Sequence, residues 1–187
     1  MNWGYLIEVP WIIFAAYWAV SALKTRRTIR SESFVSRLSL SFMTAAAFIL
    51  IFSGRIHSGF LYRHVFPPSD LLAVAAVVLT WSGIAIAIWA RWHLGENWSG
   101  RITLKENHEL IRTGPYVFFR HPIYSGLDLA ALGGVLAVNR WRAVAGFVLI
   151  LVTFWIKAKK EERLLATQFG PAFEEHCRHT GFLLPKF

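Results

Sequence analysis

Long runs without charged residues, separated by short basic segments, constrain this chain more than any other feature. The clearest run extends from Leu71 to Trp89 and carries no charge over nineteen residues. Because an α-helix needs about 20 apolar residues to cross the hydrocarbon core of a bilayer, this run predicts a membrane-spanning helix. Apolar residues make up 55% of the chain, more than a soluble domain usually contains. The sequence is therefore predicted to form an all-α, multi-pass integral membrane protein.

Four further apolar runs predict four further spans, at Val9–Leu23, Leu38–Gly54, Pro122–Val138 and Ala143–Ile156. The last has only fourteen residues, so a buried or re-entrant helix would also fit, but we expect a span that continues past Lys157. Small residues such as Gly83 should let helices pack closely. We expect five transmembrane helices, the last two forming a short helical hairpin. A cytosolic amphipathic helix should follow from Glu161 to His179, with an apolar stripe at Leu164, Leu165, Phe169 and Phe173.

The basic residues predict how the chain is oriented. Sixteen of the twenty lysines and arginines fall in residues 24–37, residues 91–121 and the tail from residue 157. Alternate connections of a multi-pass protein lie on the same side, and the lysine- and arginine-rich side is cytosolic. We therefore expect the N-terminus outside the cell and all three basic segments in the cytosol. The expected location is the cell membrane or inner membrane of a bacterium or archaeon.

Other function classes find little support in the composition. The formal charge of +9 is explained by cytosolic loops, so we expect no nucleic-acid partner. The single Cys177 excludes an internal disulfide, and no zinc-ligand spacing is present, so we expect no metal. The 187 residues are predicted to form one domain, with three spans in residues 1–90 and a second region in residues 91–187.

The stretch LIRTGPYVFFRHPIYSG, residues 110–126, is the candidate binding site. It turns at Gly114-Pro115 and re-enters the membrane at Pro122. His121 precedes a proline that opens a helix, and such a position lies near free N–H groups that suit anionic or polar ligands. Lys157 and Glu161 are four residues apart, so they should share one helix face. Asp128 lies within a predicted span and is either functional or paired with an arginine or a backbone group.

Several linked motifs resemble one family. LGENWSG at 94–100, HELIRTGPY at 108–116, RHPIYSG at 120–126 and EERLLATQFG at 161–170 follow one another in order. Over residues 94–185, about half of the chain, the sequence resembles the isoprenylcysteine carboxyl methyltransferases and their prokaryotic relatives. More distantly, it is similar to phospholipid N-methyltransferases. Motifs linked in this way are more specific than a single short motif.

The resemblance implies S-adenosylmethionine as the cofactor, with residues 91–187 as the cofactor-binding and catalytic region. Transferred residue by residue, it implies cofactor contacts from the central loops, the start of the fourth span and the first glutamate of the tail. These residues are Arg101, His108, Glu109, Leu110, Ile111, Tyr116, His121, Pro122, Ile123, Tyr124 and Glu161. The implied reaction is methylation of the carboxylate of a prenylcysteine or a similar lipophilic acid, which would reach the site from the bilayer.

Two further residues are predicted to be catalytic. Where the family typically has an arginine at the substrate, this chain has Lys157, which cannot form the bidentate fork that arginine makes with a carboxylate. Lys157 would orient an ionised acceptor carboxylate, which needs no base. An amine acceptor would need one, and Glu162 or His121 could serve. The alternatives are phospholipid or amine N-methylation, an NADPH-dependent membrane reductase, and a non-catalytic membrane scaffold.

Overall fold

The chain folds into a bundle of helices that is joined at one end by a small pair of strands. The structure, a computed structural model, describes residues 3–23, 28–57, 59–98, 103–105 and 109–187. The helices are α1 (Trp3–Ser21), α2 (Phe34–Phe52), α3 (Asp70–Leu94), α4 (Pro122–Val138), α5 (Trp141–Phe169) and α6 (Pro171–His179). The strands are β1 (Thr28–Ser31) and β2 (Thr103–Lys105), which pair antiparallel. The helical fold class is confirmed, and the strand pair was not predicted.

Within the described residues, four helices are long and apolar enough to cross a membrane: α1, α2, α3 and α5. The sequence suggested that the fifth apolar run would form the shortest of these helices. In the structure the short apolar helix is α4, with 17 residues. Because the charged residues after Ile156 continue the helix, α5 reaches 29 residues. The expectation that the fifth run continues past Lys157 is confirmed, whereas a count of five spans stays a prediction.

The tail after Lys157 is divided differently from the predicted single surface helix. Residues 161–169 belong to α5, which ends where Gly170 adopts a positive φ of 48°. Glycine tolerates this left-handed conformation without the steric cost of a Cβ atom. A separate helix, α6, then begins at Pro171 and buries Phe173 and His176. A continuous helix from Glu161 to His179 is therefore wrong, because the backbone turns at Gly170.

Helices α3 and α4 approach each other along a seam of small residues. A Cβ atom added to Gly83 would lie 2.4 Å from the backbone oxygen of Gly126, and one added to Gly126 would lie 2.6 Å from the oxygen of Gly83. Ala87 and Ala130 are fully buried beside these glycines. This contact is the close packing that Gly83 predicted, and it fixes the start of α4 against the end of α3.

Two hydrogen bonds help bring the basic segments of the chain to one end of the bundle, which we call the motif end. The Arg91 side chain donates to the Ser21 carbonyl at 2.5 Å and joins α3 to α1. Lys160 donates to the Ser36 hydroxyl at 2.5 Å and joins α5 to α2. The α4–α5 corner at Asn139 and Arg140 lies at the other end, which we call the corner end. The described parts of the three basic segments therefore lie at one end of the bundle, whereas the side of the membrane they occupy stays a prediction.

Candidate active site

His121 lies at the motif end, where the loop before α4 meets α5. Pro122 is the first residue of α4 and is buried, so the imidazole is held directly before a rigid helix start. Its Nδ1 atom lies 3.5 Å from a Glu161 carboxylate oxygen, and its Nε2 atom lies 3.8 Å from a Glu162 oxygen. The His121 side chain is only 4% exposed. The two regions that the sequence predicted to meet are in contact.

Two carboxylates set the charge state of His121. Burial lowers the pKa of the imidazole, but the nearby negative charges of Glu161 and Glu162 outweigh it, so the pKa of His121 lies above its usual value of 6.5. Nε2 has no hydrogen-bond partner among the described residues. A buried donor of this kind normally has a partner, so Nε2 is available to a polar ligand group.

Tyr124 lies one turn into α4 and links His121 to α5. Its hydroxyl donates to Glu161 at 2.5 Å. Its ring stacks on Phe154, with centroids 5.0 Å apart, and lies nearly parallel to His121 at 5.9 Å. Lys157 Nζ lies 5.9 Å from the Tyr124 ring centroid. Among the described residues Lys157 forms no ion pair, so its ammonium is not neutralised by Glu161.

Glu162, the second carboxylate of the pair, is held by two cations. Arg120 Nε donates to it at 2.6 Å and Lys159 Nζ at 3.1 Å. Arg120 also donates to the carbonyls of Cys177 and Thr180. Arg120 is the first residue of the RHPIYSG motif, but the sequence alone predicted no structural or catalytic role for it. Its partners lie 42 to 60 residues away in the chain, and no periodic pattern reports such contacts.

Tyr116 is buried beside the carboxylate cluster. Burial raises the pKa of its hydroxyl, the nearby Glu161 charge raises it further and Arg91 opposes both, so Tyr116 stays protonated. Arg91, which the sequence analysis did not single out, is 2% exposed and lies 4.4 Å over the Trp98 ring. This contact places Trp98, from the LGENWSG motif, beside the end of α3.

The remaining predicted cofactor residues lie around the turn before α4. Glu109 is exposed and its backbone N–H donates to Asn97 at 3.3 Å, which joins two of the motifs. Leu110 and Ile111 are half-buried, and Ile123 packs against the hydrophobic core. Arg101 and His108 lie outside the described residues.

Asp128 lies within α4, away from these contacts. It is 8% exposed, and its Oδ1 atom has no hydrogen-bond partner in the described part of the chain. The sequence allowed a pairing of Asp128 with an arginine or a backbone group, and no such pairing is seen for Oδ1. In the described ranges, no three His, Cys, Asp or Glu side chains gather as a metal ion would require.

The family membership of the chain follows from its central residues. The family model of the isoprenylcysteine carboxyl methyltransferases (ICMT) matches residues 73–167, about half of the sequence. The chain belongs to the ICMT family. With its apolar helices, it is an integral membrane protein. The matched residues run from α3 to near the end of α5, and they contain His121, Tyr124, Lys157, Glu161 and Glu162.

Curated relatives agree with this assignment. A probable protein-S-isoprenylcysteine O-methyltransferase of Oryza sativa subsp. indica is 34% identical over 84 residues, 43% of this chain and 44% of the relative. The protein-S-isoprenylcysteine O-methyltransferase of Schizosaccharomyces pombe is 31% identical over 94 residues, 49% and 40% of the two chains. The cobalt-zinc-cadmium resistance protein CzcN of Cupriavidus metallidurans is 31% identical over 87 residues, 46% and 39%. Each match covers less than half of the relative.

Proposed function

We propose that this ICMT-family protein is a membrane methyltransferase that uses S-adenosylmethionine to methylate the carboxylate of a prenylcysteine or a similar lipophilic acid. The observation that carries the proposal is the contact of His121 and Tyr124 with Glu161, within the residues matched by the family. The names of the rice and fission-yeast relatives support the same acceptor.

The residues at the motif end fit S-adenosylmethionine. This cofactor carries an ammonium group, a carboxylate and ribose hydroxyls. The Glu161 carboxylate, with a side chain 27% exposed, suits the ammonium group, and the Nε2 atom of His121, which has no hydrogen-bond partner among the described residues, suits a polar or anionic group. When bound, the cofactor supplies an electrophilic methyl group. We assign cofactor binding to His121, Tyr124 and Glu161, with Tyr116, Pro122, Ile123 and residues 109–111 shaping the surroundings and Arg101 and His108 as further contacts.

Lys157 is assigned to the acceptor. A carboxylate is already ionised near neutral pH, so no base has to act, and the protein contributes by orienting the reactants and excluding water. The ammonium of Lys157, free of carboxylate partners within the described residues, lies near Tyr124 and Phe154. It can attract the acceptor carboxylate as a single charge without the two-point grip of an arginine.

Glu162 is better suited to anchoring than to acting as a base. Arg120 and Lys159 both donate to it, and a carboxylate engaged by two cations holds its negative charge and resists taking a proton. We therefore assign Glu162 to holding the loop before α4 against α5. The orientation that fits the basic segments has the motif end in the cytosol and the N-terminus outside, with the lipophilic acceptor reaching the site from the bilayer.

Binding of S-adenosylhomocysteine to the detergent-purified protein tests the proposal. Calorimetry should show one site, and both His121→Ala and Glu161→Ala should abolish it or weaken it by about tenfold or more, because each removes a charged partner of the ligand. The matched controls are His179→Ala and Glu175→Ala, which alter an exposed ion pair on α6 and should bind as the wild type does. Equal affinity in all five proteins would contradict the proposal.

Amine or phospholipid N-methylation is the second candidate, because Lys157 occupies the position at which an arginine would grip a carboxylate. The relative named for cobalt-zinc-cadmium resistance adds no support for a carboxylate acceptor. Transfer of a radiolabelled methyl group separates the two candidates. A base-labile ester product, made faster by the wild type than by Lys157→Met, supports the carboxylate acceptor. A base-stable label in the lipid fraction supports the amine.

A titration with NADPH that shows binding, without methyl transfer, would indicate a reductase.

A further inference from the structure

The last residues of the chain return across the loop that carries His121. We call residues 180–187 the C-terminal strap. Its Gly181 carbonyl accepts from the Arg120 backbone N–H at 2.8 Å, and its Gly181 N–H donates to the Phe118 carbonyl at 3.0 Å. The Ser125 hydroxyl donates to the Leu183 carbonyl at 2.6 Å. These bonds fix the register of the strap on both sides of residue 182.

With this register, Phe182 lies against the imidazole of His121. The two ring centroids are 5.3 Å apart and the planes meet at 78°, an edge-to-face contact. Two cations lie over the Phe182 ring, Lys159 Nζ at 4.3 Å and Arg120 Cζ at 5.6 Å. The same cations donate to Glu162, so Phe182 belongs to one cluster with the carboxylates.

Little besides packing fixes the orientation of the His121 ring. Its side chain forms no capping hydrogen bond to α4. Its distances of 3.5 and 3.8 Å to Glu161 and Glu162 exceed those of ordinary hydrogen bonds. Ion pairs at such distances tolerate rotation of the ring. The aromatic neighbours, Tyr124 and Phe182, are what restrict it.

We propose that Phe182 is a positioning residue that holds the imidazole of His121 against Glu161. It lies outside the residues matched by the family, which end at residue 167. The consequence for cofactor affinity rests on the proposed function, whereas the position of the imidazole does not. Removing the ring should admit water to His121 and loosen its approach to both carboxylates.

The first test follows the protonation of His121 by NMR of the full-length protein labelled with ¹⁵N-histidine, with the signal assigned through His121→Gln. In Phe182→Ala the titration midpoint of His121 should move toward that of an exposed imidazole, because hydration rises and the carboxylates are farther away. Phe182→Leu keeps an apolar wall and should recover most of the difference. The charged and titratable groups around His121 are retained in all Phe182 variants. Tyr124, Glu161 and Glu162 contact His121, Arg120 and Lys159 pair with Glu162, and His176 interacts electrostatically with His121.

Phe187→Ala is the matched control, since Phe187 is 99% exposed, and it should leave the titration unchanged. A His121 midpoint in Phe182→Ala equal to that of the wild type would overturn the inference. If Phe182→Ala does not fold, the same comparison is made with Phe182→Leu, where a smaller shift in the same direction supports the inference and no shift overturns it.

The second test measures the affinity for S-adenosylhomocysteine. This affinity should fall about tenfold in Phe182→Ala, because a misplaced binding group loses much of its effect. It should stay unchanged in Phe187→Ala. Equal affinity of Phe182→Ala and the wild type would also overturn the inference. If the wild type itself does not bind, the proposed function fails, and the His121 titration alone decides the role of Phe182.

Discussion

The two ends of the helix bundle use arginine side chains in different ways. At the corner end, Arg142 donates to the carbonyls of Leu50 and Ile51 at 2.6 and 2.8 Å. At the motif end, Arg120 donates to the carboxylate of Glu162. The first arginine satisfies backbone carbonyls near the end of α2, so it completes the fold. The second joins a group of side-chain charges, and a ligand can enter such a group and change it.

The chemistry of helix ends explains the arrangement at the corner end. The last carbonyls of a helix have no partners within it, and a cation there is favoured by the helix dipole. Leu50 and Ile51 belong to the last turn of α2, and Arg142 covers them from the first turn of α5. Asn139 similarly exchanges two hydrogen bonds with the backbone of Phe66. These bonds join side chains to backbone groups rather than to other charged side chains.

The largest expected effect is a loss of stability from a substitution at the corner end, which should leave the motif end intact. Arg142→Met should destabilise the folded protein by roughly 3 kcal/mol, because two buried carbonyls lose a charged donor. Thermal unfolding in detergent measures this effect. The folded fraction should still bind S-adenosylhomocysteine with wild-type affinity, in contrast with Glu161→Ala.

Arg55→Met provides the control for Arg142→Met. Arg55 follows α2 and is exposed, so its loss should change stability by less than about 0.5 kcal/mol. If Arg142→Met weakens the free energy of ligand binding by as much as it lowers the free energy of unfolding, the two ends are coupled. The corner end then cannot be treated as serving the fold alone.

The sequence predicted the meeting of His121, Tyr124 and Glu161 because that prediction needs only topology. Two apolar runs lie between each basic segment and the next, and an even number of runs returns the chain to the same end. The structure shows the resulting contact of Tyr124 with Glu161. The strand pair and the C-terminal strap were missed. Both depend on short segments that pair through backbone groups across long stretches of chain, and neither has an apolar period to signal it.

The second expected effect is a pH dependence of stability that arises at the motif end. The pKa of His121 is lowered by burial and raised more by Glu161 and Glu162, so the folded-state value exceeds the unfolded-state value near 6.5. His121 therefore stabilises the fold fully below about pH 6.5, and this contribution is lost as the pH rises through the higher folded-state value. Melting temperatures of the wild type and His121→Gln should converge over this rise.

The measured quantity is the difference between the two proteins at each pH, because titrations that His121 does not influence then cancel. His176 does not cancel fully: burial lowers its pKa, and the charges of Arg112, Arg120 and His121 lower it further, so its own contribution has the opposite sign and changes when His121 is replaced. A difference between wild type and His121→Gln that stays constant from about pH 5 to 8 would show that the carboxylates do not hold the His121 proton.

The smallest expected effect separates the Tyr124 hydroxyl from its ring. Tyr124→Phe removes the hydrogen bond to Glu161 but keeps the stacking on Phe154 at 5.0 Å and the contact with His121. One hydrogen bond contributes about 0.5–1.5 kcal/mol net, so the affinity for S-adenosylhomocysteine should fall only a few-fold. Tyr5→Phe, at a side chain 66% exposed, is the control and should change nothing. A loss in Tyr124→Phe as large as that in Glu161→Ala would mean that Glu161 acts by orienting the Tyr124 hydroxyl rather than by contacting the ligand itself.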